Sequence, residues 1–192
     1  MPLSEEQANA ILLQVLKENA GLAKIHNKDN TVVKFAPLDR ITKNNIYGGG
    51  GQLEYWPVEE EGLKDYPHPA PGKIALEIFQ AQLMQNPEIL KRALRGDLMH
   101  GMMADTHYKG LHDQFRNNYT PETLAFEQKA NRQGWRPNAV HDMYIRGYLN
   151  PDERDEFRKH QAQSGNVYSP RQLEILNEME QYIKTGQGRA EY

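Results

Sequence analysis

Residues 86–105, NPEILKRALRGDLMHGMMAD, constrain the chain more than any other stretch. Asn86 is a natural N-cap, Pro87 suits the first helical position, and Glu88 complements the positive end of a helix dipole. Leu90, Ala93, Leu94, Asp97, Leu98, Gly101 and Met102 recur at helical spacing, so a carboxylate sits in the middle of an apolar stripe. His100 follows Asp97 at i+3 and lies beside it on the helix surface. A buried carboxylate is costly unless paired, so the pattern asks for a partner: His100, a distant arginine or a metal. Gly96 and Gly101 each cost roughly 1 kcal/mol in a helix interior and make sense where another backbone packs close. If Asp97 and His100 form a structural pair, Asp97→Ala should lower stability by a few kcal/mol by stranding a buried partner.

The rest of the chain reads as a small sheet followed by helices. Residues 4–19 form a first helix, with a Ser4/Gln7 capping box, an inward stripe of Ala8, Ile11, Leu12, Val15 and Leu16, and Gly21 as its expected end. Such a terminal helix ordinarily packs on its own domain; the alternative is a docking handle for a partner. Strands are expected over 31–36, 52–56 and 73–79, the last with Ile74, Leu76 and Ile78 on one face and Ala75, Glu77 and Phe79 on the other. The four glycines at 48–51 lack the Lys-Ser/Thr pair and following helix of a phosphate loop, and read as a hairpin connection or bulge. Residues 58–72, with Glu59, Glu60, Glu61 and prolines at 67, 69 and 71, read as an extended surface crossing with His68 exposed. Beyond Thr106 every element reads as helix, with starts at Pro121, Pro151 and Pro170. The last carries Leu173, Leu176, Met179, Tyr182 and Ile183 as its stripe.

The fold class expected is α+β: a small N-terminal β-sheet, a central helix and a largely helical C-terminal half. The 192 residues suit one domain, divided as an N-terminal helix (1–24), sheet plus central helix (30–105), helical half (106–186) and loose tail (187–192). At 38% hydrophobic residues the core is modest. The net charge of -3 predicts no general attraction to nucleic acid or anionic membrane, and no run approaches spanning length. The absence of cysteine excludes disulfides and thiolate metal sites and suits a reducing compartment. MPLSEEQ has neither the basic start nor the apolar core of a signal peptide.

Candidate chemistry gathers at Asp97, His100, Asp105, His107, His112 and Asp113. Imidazole nitrogens and carboxylates suit zinc, which asks for about three such ligands near ~2 Å. Here Asp97 and His100 would be half a site, completed by His107 or His112, with Asp97 as ligand or catalytic base. The HExxH signature lacks its first histidine and its glutamate. There is no cysteine nucleophile and no GxSxG elbow, and of Ser4, Ser164 and Ser169 two read as helix caps. Glu54, Glu77 and Asp97 are the acids from which a glycosidase pair would be drawn, though nothing in their spacing selects them. Lys91, Arg92 and Arg95 make one basic edge; Arg132, Arg136 and Arg146, with Trp135 and Tyr144, suggest another. Interleaved acids make both read as solvated faces.

The runs IYGGGGQLEYWP (46–57), DYPHPAPGK (65–73), LEIF (76–79), ALRGDLMHGM (93–102), YIRGYLNPDE (144–153) and YSPRQLEIL (168–176) resemble a family of uncharacterised proteins of tailed bacteriophages. That family includes both stand-alone proteins and segments of large polyvalent or ejected virion proteins, and the resemblance covers about residues 45–182. It implies a viral origin, a location in the bacterial host cytoplasm or the virion, and partners that are proteins, including other phage proteins or the chain itself. The strand-then-helix order also resembles zincin-like domains, with the missing histidine and glutamate as the departure. The expected function is a non-enzymatic structural or protein-interaction protein without a cofactor. The alternatives are a zincin-like, zinc-dependent hydrolase around Asp97 and His100, and a host-directed inhibitor of a bacterial protein.

Overall fold

The computed structural model describes residues 1–38, 53–104, 109–122, 124–125, 139–163 and 168–188. The fold is α+β, as the sequence patterning predicts. Helix α1 (Glu5–Glu18) opens on the reciprocal Ser4/Gln7 capping box and buries Ala8, Leu12, Val15 and Leu16. Three strands follow: β1 (Thr31–Phe35), β2 (Leu53–Trp56) and, after a small hairpin of β3 (Gly62–Leu63) with β4 (Tyr66–Pro67), the fully buried β5 (Ile74–Ile78). Strand β5 is central, pairing parallel to β1 and antiparallel to β2. Helix α1 covers the open edge of β1. Asn9 bonds both the N–H and the C=O of Val33 (2.9 and 3.1 Å), and Glu5 accepts from the Phe35 N–H (2.8 Å). The side chains thus stand in for a missing neighbouring strand and satisfy an edge that would otherwise invite pairing. The terminal helix is therefore part of its own domain.

The helices are α2 (Pro87–Ala104), α3 (Lys109–Asn117), α4 (Ala139–Tyr148), α5 (Pro151–Gln163) and α6 (Pro170–Thr185). Residues 121–122 and 124–125 are also helical, and the Leu124 N–H reaches the Thr120 carbonyl (2.9 Å). The Pro151 and Pro170 starts hold, the latter behind a Ser169/Gln172 capping box. One apolar cluster joins Leu12 of α1, Val33 and Leu76 of the sheet, Leu94 of α2, Phe115 of α3, Met143 of α4 and Met179 of α6. In α6 the inward stripe takes Ile175 rather than Leu173, which is 39% exposed.

Helix α5 has almost no apolar face and is attached by charge. Arg154 reaches Glu180 of α6 (2.9 Å), and Arg158 reaches Asp142 of α4 (2.6 Å). Arg146 of α4, 5% exposed, pairs with both Asp142 and Glu180 at 2.7 Å. Burial alone would raise the Asp142 carboxyl, but Arg158 and Arg146 outweigh it and hold it low.

Three features depart from the sequence reading. Residues 58–72 are not a plain extended crossing: the β3–β4 hairpin folds back over the sheet. His68 is 5% exposed rather than solvated, with Trp56 against its ring at 5.4 Å. The Ala70 N–H donates to His68 Nδ1 (3.0 Å) and His68 Nε2 faces the Pro57 carbonyl (3.0 Å), so both ring nitrogens are used. Gly21 does not end α1, whose C-cap is Asn19. Its amide instead caps the Ile183 carbonyl at the end of α6 (2.9 Å), and a Cβ there would stand 2.2 Å from the Tyr182 carbonyl oxygen. The glycine run 48–51 and residues 189–192 of the tail lie outside the described residues.

Candidate functional site

Helices α2 and α4 cross where both carry glycine. A Cβ on Gly147 would stand 2.7 Å from Gly96 Cα, and one on Gly96 would stand 3.1 Å from the Tyr144 carbonyl. Gly96 therefore has the close backbone that its helix-breaking cost calls for. Gly101 answers the same demand with a ring: a Cβ there would stand 2.4 Å from the Tyr55 side chain. The crossing is reinforced by arginines that satisfy the orphan carbonyls of α4's last turn. Arg95 Nε donates to Gly147 O (2.5 Å), Arg92 Nε to Tyr148 O (2.7 Å), and Arg154 Nη2 to Arg146 O (2.9 Å).

Asp97 lies on α2 beside this crossing and is 7% exposed. Its only ionic neighbour among the described residues is His100, whose Nδ1 is 3.9 Å away. That separation is beyond hydrogen-bond reach, and the His100 side chain is 47% exposed. Burial pushes the Asp97 carboxyl up, and His100 offsets only part of the rise. The pairing read from the sequence exists, but as a loose charge contact with a solvated partner. The expectation that Asp97→Ala strands a buried group is therefore corrected: His100 is free to hydrate.

Two residues of α4 complete the cluster, and sequence reasoning did not place them there. The Tyr144 ring meets the His100 ring edge-on, centroids 6.5 Å apart, and lies stacked between His141 (6.4 Å) and Tyr148 (5.7 Å). Arg92 sits over the outer Tyr148 ring at 5.0 Å. Burial, then the Asp97 charge, raises the Tyr144 phenol and keeps it un-ionised. Burial lowers the His141 imidazole, which favours its neutral form, and the His100 charge adds to the effect while Asp142 opposes it. The signal available in the sequence was the shared face of His141, Tyr144 and Tyr148 at helical spacing, with Gly147 beside it.

Among the described residues the remaining site expectations find no common place. His107 and Asp105 lie outside the described residues, and the His112 side chain, on α3, is likewise not described. Among the described residues no group of three His, Asp or Glu is placed to hold a metal ion. Glu54 and Glu77 are brought directly opposite each other on β2 and β5, but Asp97 is not with them. They point away from α2, since Tyr55 between Glu54 and Trp56 faces Gly101. Glu77, 3% exposed, accepts from the Tyr66 hydroxyl at 2.7 Å. The basic edge of α2 is spent internally: Lys91 pairs with Glu18 at 2.9 Å, Arg92 with Glu153, and Arg95 with the end of α4. Arg146 is buried, and Arg132, Trp135 and Arg136 lie outside the described residues. Ser4 and Ser169 are caps; Ser164 is outside.

No family model matches the chain, and no curated protein or solved structure matches it. None of the described helices is long and apolar enough to cross a membrane.

Proposed function

We propose that this protein works by contact rather than by catalysis, as a phage-type structural or protein-interaction protein acting in the bacterial host cytoplasm or the virion. The observation that carries the reading is the β3–β4 hairpin. Its root is fixed: Trp56 packs on Tyr66 (5.8 Å) and His68, and Tyr66 is tied to Glu77. Its tip is bare: Leu63 is 76% exposed and Asp65 is exposed beside it, while Val58, Glu59, Glu60 and Glu61 stand exposed on the segment that leads into the hairpin. A rigid base presenting an exposed apolar side chain near charged residues matches the apolar centre and polar rim of a protein–protein contact. The sequence resemblance to tailed-phage proteins supports the setting.

A photo-crosslinking residue placed at position 63 tests this in cells of the natural source, with position 187 as an exposed control. A discrete adduct from position 63 alone is expected. An adduct to particle proteins would favour a virion component, and one to a bacterial protein would favour the host-directed reading. No adduct, or the same adducts from both positions, would sink the proposal.

The zincin-like alternative rests on Asp97 and His100 standing together. Stoichiometric zinc in the purified protein, lost in His100→Ala, would bring it forward.

A further inference from the structure

We propose that the Asp97 carboxylate anchors a binding site for an organic cation, a primary ammonium or guanidinium group on a narrow stem. The carboxylate retains 10% side-chain exposure, so solvent reaches it, and its one ionic neighbour among the described residues, His100, stands 3.9 Å away and is itself half in solvent. A nearly buried carboxylate with only a loose, half-solvated partner keeps acceptor capacity for a ligand, and folding alone gains little from keeping one there. The cations nearest along α2 do not fill it. Arg95 and Arg92 are turned to the Gly147 and Tyr148 carbonyls. What flanks the carboxylate is aromatic: His100, half in solvent, and Tyr144, held in its stack between His141 and Tyr148. A carboxylate beside ring systems suits an organic cation, whose charge meets the acid while its stem meets the rings. It does not suit a bare metal ion, for which the third donor is missing among the described residues. The Gly96–Gly147 contact fixes the helix separation beside the carboxylate.

The test is an NMR titration of the His100 and Tyr144 ring signals in the intact protein at neutral pH and constant ionic strength. One probe is acetyl-Gly-Lys-Gly-amide, presenting a lysine side chain on a backbone; the other is putrescine. Saturating shifts at both rings are expected with at least one probe, and apparent affinity at least tenfold lower in Asp97→Asn, which keeps the shape and removes the charge. Tighter binding of the peptide assigns the site to a polypeptide partner, and tighter binding of putrescine to a free amine. Absence of saturation with both probes would overturn the proposal, as would an undiminished response in Asp97→Asn. Equal shifts with sodium chloride in the unaltered protein would do the same and need no variant to fold.

Discussion

Gly101→Ala sets two effects of opposite sign against each other. Alanine in a helix interior is favoured over glycine by about 1 kcal/mol. Against that, the new methyl would lie 2.4–2.5 Å from three ring carbons of Tyr55, including the one nearest its backbone, so the whole side chain must move rather than its tip. Tyr55 is placed by β2, and its hydroxyl lies 3.0 Å from Nε2 of His26, itself 1% exposed and bonded through Nδ1 to the Leu22 carbonyl (2.9 Å). Overpacking of this kind costs about 1–3 kcal/mol, and a disturbed Tyr55–His26 hydrogen bond adds about 1. The clash wins, and the net loss is about 1–3 kcal/mol. For a chain of this size that is a fall in Tm of several degrees, at about 2–4 °C per kcal/mol. Urea denaturation should show the midpoint falling with an unchanged slope. The decisive arm is a double-mutant cycle: once Tyr55→Ala has removed the ring, adding Gly101→Ala should become stabilising by up to about 1 kcal/mol. A loss of equal size in both backgrounds would refute the steric argument, and so would a gain in the wild type.

Other outcomes follow from the same structure. Asp97 holds its proton more tightly folded than unfolded, so its contribution to stability is full at low pH and is lost as pH rises through the elevated folded value. Asp97→Asn should therefore melt higher than wild type at pH 7, with the advantage vanishing under acid conditions; a lower melting point at neutral pH would show a stabilising partner for the carboxylate. Glu180 behaves in the opposite sense. Burial opposes its charge, but Lys184, Arg146 and Arg154 outweigh burial and hold its carboxyl at about 2, below its ordinary 4.5. Stability from this group is present above pH 4.5 and is lost as pH falls toward about 2. Glu180→Gln should cost about 3 kcal/mol at pH 7 by leaving Arg146 short of a partner, and should flatten the acid limb of the stability profile; an unaltered limb would count against the network. Gly21→Ala should detach residues 20–24 from the end of α6, because carbonyl oxygens at 2.2 and 2.6 Å leave no room for a methyl. The expected loss is about 2–4 kcal/mol, read by chemical denaturation and by faster amide exchange at Ala20 and Gly21.

Local chemistry made much of this protein legible from sequence. The capping boxes at Ser4 and Ser169 and the prolines at 87, 151 and 170 act within one helical turn of themselves, so they announce helix starts without reference to the rest of the chain. The apolar run from Ile74 to Ile78, with Ile74, Leu76 and Ile78 on one face, announced a strand. The Asp97–His100 proximity follows from i,i+3 spacing alone, and so does Asp97's place in a buried stripe. Tertiary structure decided everything whose partner lies far along the chain. It buried His68 under its own hairpin, set Glu54 opposite Glu77, and gave Gly21 to the far end of α6. It turned the basic edge of α2 inward onto the carbonyls of α4, and it brought Tyr144 to His100 and Asp97. Periodicity states which face of an element is buried, but not against what. A charge is read as exposed until a remote carboxylate or carbonyl claims it, and a histidine as a ligand until its neighbours are counted. The physical character of the site, a nearly buried acid beside aromatic rings of the facing helix, is a property of the α2–α4 crossing and of neither helix alone.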